Sequence, residues 1–390
     1  MKTYDWIVVG AGITGAALGY ELVKKGFSVL LIEQQATPEN ATRYSYGTLA
    51  YWSGTSDITR QLCLEGKERH QILSAELDAD TEFRELDLLL TIDRDDNPQA
   101  VLAEYEHCAI KPQLLSTAEA CSWEPLLNPD AISGALTTKT GHINPQATAK
   151  GYWEAMRRNG GAMEIAKVRD LLRDGSRITG VITDRGSYYG ANTVICAGGF
   201  SRRMLKVAGI LVRLYFTHAE LIEIAPVPIQ LRTIVMPNLQ RYGLEAKACE
   251  LDSLWDYPGH EPVPPILDPG AVQFLDGSIR LGQMSRVLTD PEAKVDSSAS
   301  EAAIRTHVGK ILPALGQLPG TWHSCLVAFS GDIMPVVGPI PGMTGIHVFS
   351  SFTYPMVFVP PIAQRFANHM AGGVPDDFIP QMSPTRFGLS

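Results

Sequence analysis

Near its N-terminus the chain reads Trp-Ile-Val-Val-Gly-Ala-Gly-Ile-Thr-Gly, an apolar run that breaks into glycines at 10, 12 and 15. The pattern predicts a strand over 6–9, a tight turn, a helix to Lys25 stopped by Gly26, and a second apolar strand over 28–32 leading to Glu33. Gly10 permits the turn, and Gly12 lets the backbone approach a pyrophosphate. Gly15 lets helix and strand pack closely, so the helix N-terminus, with Ile13 and Thr14, faces the anion. Glu33, 18 residues after Gly15, would accept hydrogen bonds from both ribose hydroxyls and repel a 2′-phosphate, with Gln34 beside it. Strand, helix, second strand and acid in register predict a dinucleotide site. The competing reading is a glycine-rich core turn with an exposed glutamate.

The remainder of the chain sets limits on what surrounds that site. At 390 residues it has length for two or three domains and for a large core. A formal charge of −9 argues against a nucleic-acid partner. The six cysteines, at 63, 108, 121, 196, 249 and 325, form no CxxC pair and no zinc spacing, so we expect free thiols and no metal. Asp5 breaks any signal-peptide pattern, and no apolar run is long enough to span a membrane, so a cytoplasmic location is the default expectation. Helical spacing is read over 57–80, 145–159, 298–312 and 361–370, and short strands over 163–199. Residues 213–290 read as strand-rich, with PVPPILDPG as a loop, and further strands are expected at 322–329 and 345–350.

The segment VITDRGSYYGANTVICAGG, 181–199, is a β-meander feeding a strand that ends in Ala197-Gly198-Gly199. It resembles the second nucleotide-contacting strand of glutathione-reductase-type flavoproteins, where small residues let the backbone pass beside the cofactor. No second GxGxxG follows, so electrons are expected from the substrate rather than from NAD(P)H.

Further blocks extend the likeness: ATRYSYGTL at 41–49, GHINP at 141–145, GSIRLGQMSRV at 277–287 and SGDIMPVVGPIPG at 330–342. With these the chain resembles the D-amino acid oxidase (DAO) superfamily, on its glycine oxidase and sarcosine oxidase side. The resemblance implies an α/β fold: a discontinuous, glutathione-reductase-type, Rossmann-like FAD domain (1–80, 141–212, 321–390) and an α+β substrate domain on an antiparallel sheet (81–140, 213–320). It implies FAD contacts at Thr42, Arg43, Gly47, Thr48, Val168 and Asp332, and at Thr353, Tyr354 and the Met356 amide. It also implies oxidation of a C–N bond by hydride transfer to flavin N5. Sarcosine-oxidase-like members attach FAD to a cysteine at the spacing of Cys325 from Asp332; the alternative is a buried free thiol.

Two departures stand out. The family's glycine-bearing loop beside the flavin pyrimidine is replaced by SSFTYPMVF at 350–358, in which Pro355 donates no N–H. At the positions of the glycine-oxidase arginines stand Val327 and Thr353. A substrate carboxylate would then need another arginine; the candidates are Arg241 (with Tyr242), Arg280 and Arg286, with Tyr354 in the same pocket. The aromatic residues at 44, 46, 51 and 52 would line the active-site mouth or the core, and the histidines read as structural. An FAD-dependent amine or amino acid oxidase or dehydrogenase leads. Oxidation of a 2-hydroxy acid or alcohol on the same fold is the alternative, and a redox-inactive binding protein is the reading of another class. The acceptor is left open between O2 and an unidentified carrier, and the oligomeric state is open.

Overall fold

The structure, a computed structural model, describes residues 2–238, 241–374 and 376–387; the side chains of Arg241 and Tyr242 lie outside the described residues. Two sheets organise it. In the first, strand Thr3–Val9 pairs in parallel with Gly186–Ile195 on one side and Val29–Glu33 on the other. Ile346–Ser350 and Ala162–Ile165 extend the parallel array outward. Every residue of Val29–Glu33 is buried, as a parallel strand covered on both faces requires. Alternation divides the first strand: Trp6 and Val8 join one core, Ile7 and Val9 another. The expected meander is present, with Val168–Asp174, Arg177–Thr183 and Gly186–Ile195 running antiparallel.

Helices Ile13–Lys24, Asp57–Leu77, Pro145–Arg158 and Pro355–Met370 pack together over the face carrying Trp6 and Val8. Their starts are written locally. A capping box between Ser56 and Thr59 opens the second, and Asn144 accepts from the Ala147 amide with Pro145 in the first turn to open the third. An ion cluster lies between the first two. Arg69 reaches Glu21 at 3.1 Å and Glu76 at 2.7 Å, and Lys24 reaches Glu76 at 2.6 Å. Burial pulls the Glu21 carboxyl above its ordinary range, and the two cations oppose that. Arg69→Ala would leave Glu21 buried beside a second carboxylate. We expect a loss of about 3 kcal/mol, read as a lower urea midpoint at unchanged slope.

Among the described residues the second sheet has nine strands: 321–329, 215–224, 279–286, 266–273, 234–237, 84–93, 132–142 and 48–49 in order, with 113–116 also on 132–142. It is antiparallel apart from one parallel pair, Ile234–Pro237 with Arg84–Asp93. Strand Thr321–Phe329 joins this second sheet, whereas the sequence division placed residues from 321 onward with the first.

Three local expectations are corrected. The ILDPG half of PVPPILDPG is strand, Ile266–Gln273, because Pro269 sits in a register shift between Leu267 and Gly270 where no ladder N–H is required. The last helix starts at Pro355, six residues before the expected Pro361, and carries Pro360 and Pro361 inside it. Arg241 and Tyr242 begin a helix, Arg241–Glu250, instead of lying on an inward strand. Among the described residues no helix is long and apolar enough to cross a membrane.

Candidate active site

Between the two sheets runs a cavity of about 580 Å³, the size range of a cofactor and small-ligand site. One end is built by the first strand–turn–helix. Gly10 has φ +99°, and a Cβ there would sit 2.6 Å from the Cys196 carbonyl oxygen. A Cβ on Gly15 would sit 1.9 Å from the Gly10 carbonyl oxygen. Both glycines are therefore required by the close approach of turn, helix and strand. The Ile13 amide, one of the helix's first free donors, is taken at 2.9 Å by Thr42 Oγ1 from the next segment. Glu33 is 6% exposed, and its carboxylate accepts from the amides of Ala11 at 2.8 Å and Gln35 at 3.2 Å. Burial raises its pKa and these amides lower it, the net direction being upward.

Most of the expected cofactor contacts converge on this cavity. Gly10, Gly12, Ile13, Thr14, Glu33 and Gln34 line it from the turn, and Thr42, Thr48 and Val168 from the following segments. Ala197, Gly198 and Gly199 contribute from the strand end, and Thr353, Tyr354 and Met356 from the start of the last helix and the loop before it. Four expected contacts are not brought to the lining. Gly15 does packing work within the turn. Gly47, at φ +72°, fits against the Ile143 carbonyl. Arg43 forms a fork on Glu223 at 2.7 and 2.8 Å. Asp332 is gripped by Arg386 at 2.8 and 2.9 Å, away from the cavity.

The other end of the cavity is lined by Leu88, Leu90, Met236 and Trp52, with Asp268, Gln283, Tyr46 and Val327. Tyr46 and Trp52 belong to the aromatic group that the sequence places at the active-site mouth or in the core, whereas Asp268 lies in a segment that reads as loop. The bulge at Leu267/Gly270 flanks Asp268, the position where a bulge re-aims side chains. Of the arginine candidates, Arg280 donates to the Ser45 carbonyl, lies 3.6 Å from Glu223 and stacks over Phe274 at 4.3 Å. Arg286 is held by buried Glu220 at 3.1 Å. Neither lines the cavity. The histidines read as structural have structural surroundings: His142 beside Arg84, His218 on the Asp290 carbonyl, His347 against Trp6.

The cavity fits FAD on three counts. The glycine turn leaves backbone room for a pyrophosphate beside a carboxylate suited to ribose. Trp52 Nε1 and Ser351 Oγ are buried at the lining without a protein partner, as polar groups meant for a ligand would be. Ser351 also holds φ +61°, the left-handed conformation that glycine normally supplies, so the altered loop keeps a glycine-like path at a cost in strain. Residues 353–356 would hold the ring end of the cofactor, and the flavin would supply a two-electron acceptor. Cys325 lines the same cavity, and burial pushes its thiol up to about 12.

A family model described as FAD dependent oxidoreductase (DAO) matches residues 5–369. Glycine oxidase of Pseudomonas aeruginosa is 24% identical over 390 residues, 95% of each chain. The crystal structure of glycine oxidase from Geobacillus kaustophilus superposes with a TM-score of 0.78 at 21% identity over 99% of both chains. L-Proline dehydrogenase from P. horikoshii does so at 0.77 and 17%, over 99% of this chain and 98% of that one. A dithionite-reduced L-α-glycerophosphate oxidase from Mycoplasma pneumoniae with FAD bound gives 0.75 at 16%, over 94% of each. With a glycine turn, acid and strand end that fit FAD and a family match spanning nearly its whole length, the chain belongs to the DAO family of FAD-dependent oxidoreductases.

Proposed function

We propose that this chain oxidises a C–N bond of an amine or amino acid. When bound, the flavin would supply the two-electron acceptor for hydride lost from the carbon beside the nitrogen, and the imine so formed would be hydrolysed to a carbonyl compound and the released amine. What supports the reading is the match to the DAO family together with the substrate end of the cavity, where Leu88, Leu90, Met236 and Trp52 form an apolar lining with Asp268 and Gln283 beside it. Among the described residues, the basic ones that line the cavity, Lys167, Arg169 and Arg203, come from the segments of Val168 and Phe200 at the nucleotide end. Relatives named glycine oxidase and L-proline dehydrogenase are compatible with an amino acid substrate.

With Arg280 and Arg286 engaged elsewhere, Arg241 is the arginine we propose for a substrate carboxylate. It heads the helix that follows cavity-lining Met236. Arg241→Ala is expected to raise KM for amino acids about 10-fold or more and to leave KM for amines without a carboxylate unchanged. Equal effects on both classes would remove Arg241 from that role.

The reading is tested by anaerobic reduction of the flavin with a panel of primary amines, N-methylated amines, amino acids and 2-hydroxy acids. Bleaching by amines or amino acids is expected. Bleaching by 2-hydroxy acids or other alcohols alone would replace the reading with C–O oxidation. Re-oxidation by air against added artificial acceptors then separates oxidase from dehydrogenase.

A further inference from the structure

The last helix, Pro355–Met370, carries adjacent prolines at its sixth and seventh positions. A helical carbonyl is normally met by the amide four residues on, and proline has none. Pro360 therefore removes the donor for the Met356 carbonyl, and Pro361 removes the one for Val357. For Met356 the next donor along, residue 361, is absent as well. These carbonyls belong to the first turn of the helix, and residues 353–356, which run from the preceding loop into that turn, line the cavity at the end assigned to the flavin ring.

The missing donor is supplied from helix Asp57–Leu77. His70 Nε2 lies 2.7 Å from the Met356 carbonyl oxygen, and since a carbonyl only accepts, the imidazole donates from Nε2. Four residues earlier, on the same helix face, Gly66 lies against the second orphan: a Cβ there would be 2.1 Å from the Val357 carbonyl oxygen. The Gly66–His70 face thus fits the proline break in the neighbouring helix, one residue by close approach and the other by hydrogen bond. His70 is 1% exposed and stacks on Phe83 at 6.2 Å, so its ring is held in place. Burial lowers its pKa to about 4, which keeps it neutral and its bond to Met356 that of a fixed tautomer.

We propose that His70 is a positioning residue for the flavin end of the site: its Nε2–H replaces the backbone donor that Pro360 lacks and thereby fixes the turn 353–356 that lines the cavity there. His70 does not itself line the cavity and acts through the Met356 carbonyl. The proposal rests on the FAD site and is independent of which substrate is oxidised.

The test exploits the proline. Pro360→Ala restores an N–H four residues after Met356, so it makes the imidazole redundant. FAD dissociation constant and flavin visible spectrum are measured for H70L, H70Q, P360A and the doubles H70L/P360A and H70Q/P360A, with circular dichroism as the check on folding. We expect H70L to bind FAD about 10-fold more weakly with a shifted flavin band, P360A to resemble the parent, and H70L/P360A to return to within about threefold of it. H70Q, which keeps a donor, should fall between H70L and the parent. A structural role for the imidazole would lower stability equally in both backgrounds and leave the spectrum of the bound flavin unmoved. The proposal is overturned by a folded H70L with unaltered affinity and spectrum, or by a loss that P360A does not restore. It is overturned equally if neither His70 variant folds in the P360A background, where the imidazole should no longer be needed.

Discussion

Gly12→Val is expected to lower FAD affinity at least 100-fold, about 2.8 kcal/mol, while the protein stays folded. The separation of binding from folding follows from where Gly12 stands. Its φ of −63° and ψ of −177° are open to valine, and a Cβ would meet only Thr42 Oγ1 at 3.1 Å and Asn40 Nδ2 at 3.8 Å. The added methyls enter the cavity lining where the backbone must approach a pyrophosphate. Gly15→Ala makes the contrast, because its Cβ collides with the Gly10 carbonyl and the helix–strand packing itself must give. Isothermal titration of apoprotein with FAD, beside far-UV circular dichroism, reads both. FAD binding by G12V as tight as by the parent would remove the glycine turn from the cofactor site.

Acidification is expected to unfold the protein well above the carboxylate range. His70 and His347 are held at about 4 and His142 at about 3, each by burial, with Arg84 and Arg280 adding to the effect at His142. All three are depressed from 6.5, so the native state keeps these imidazoles neutral. Below pH 6.5 the unfolded chain takes up protons that the native chain refuses. The stability is complete well above pH 6.5, begins to fall as the unfolded imidazoles titrate around 6.5, and continues to be lost as pH falls toward 4 and 3. With three groups the slope approaches about 4 kcal/mol per pH unit near pH 5, enough to consume an ordinary domain's stability within a few units. Glu76, held down to about 2 by Arg69 and Lys24, adds to the loss at lower pH, whereas buried Glu21 and Glu33, with raised pKa values, oppose it. Urea midpoints at pH 7.5, 6.5 and 5.5 with saturating FAD should fall at each step. Equal midpoints at 7.5 and 5.5 would contradict the burial of these rings.

What the sequence made legible was local. The turn at Gly10–Gly15, the acid at Glu33 and the meander ending in Ala197-Gly198-Gly199 are each defined by neighbours within about 20 residues, and the structure brings all of them to one cavity. The departures are tertiary. Arg43 sits in the right segment but is captured by Glu223, 180 positions away, and Asp332 by Arg386, 54 positions away. Nothing near either residue announces its partner. Pro361 reads as a helix start because the donor that makes Pro360 tolerable inside the helix comes from His70, 286 positions from Met356. Asp268 was hidden because prolines mark loops, and here Pro269 marks a bulge inside a strand. Trp52 was visible as an aromatic residue, but its unpartnered Nε1 at the cavity is a fact of packing.

One absorbance spectrum, recorded on purified protein before and after acid precipitation, bears most directly on the account. The glycine turn, Glu33 and the cavity predict flavin bands near ~370 and ~450 nm. With Cys325 buried and its thiol held protonated, the colour is expected to pass to the supernatant on precipitation. Colour retained in the pellet would assign Cys325 a covalent bond to the flavin. A colourless protein that takes up no FAD on incubation would contradict the assignment of this cavity as an FAD site.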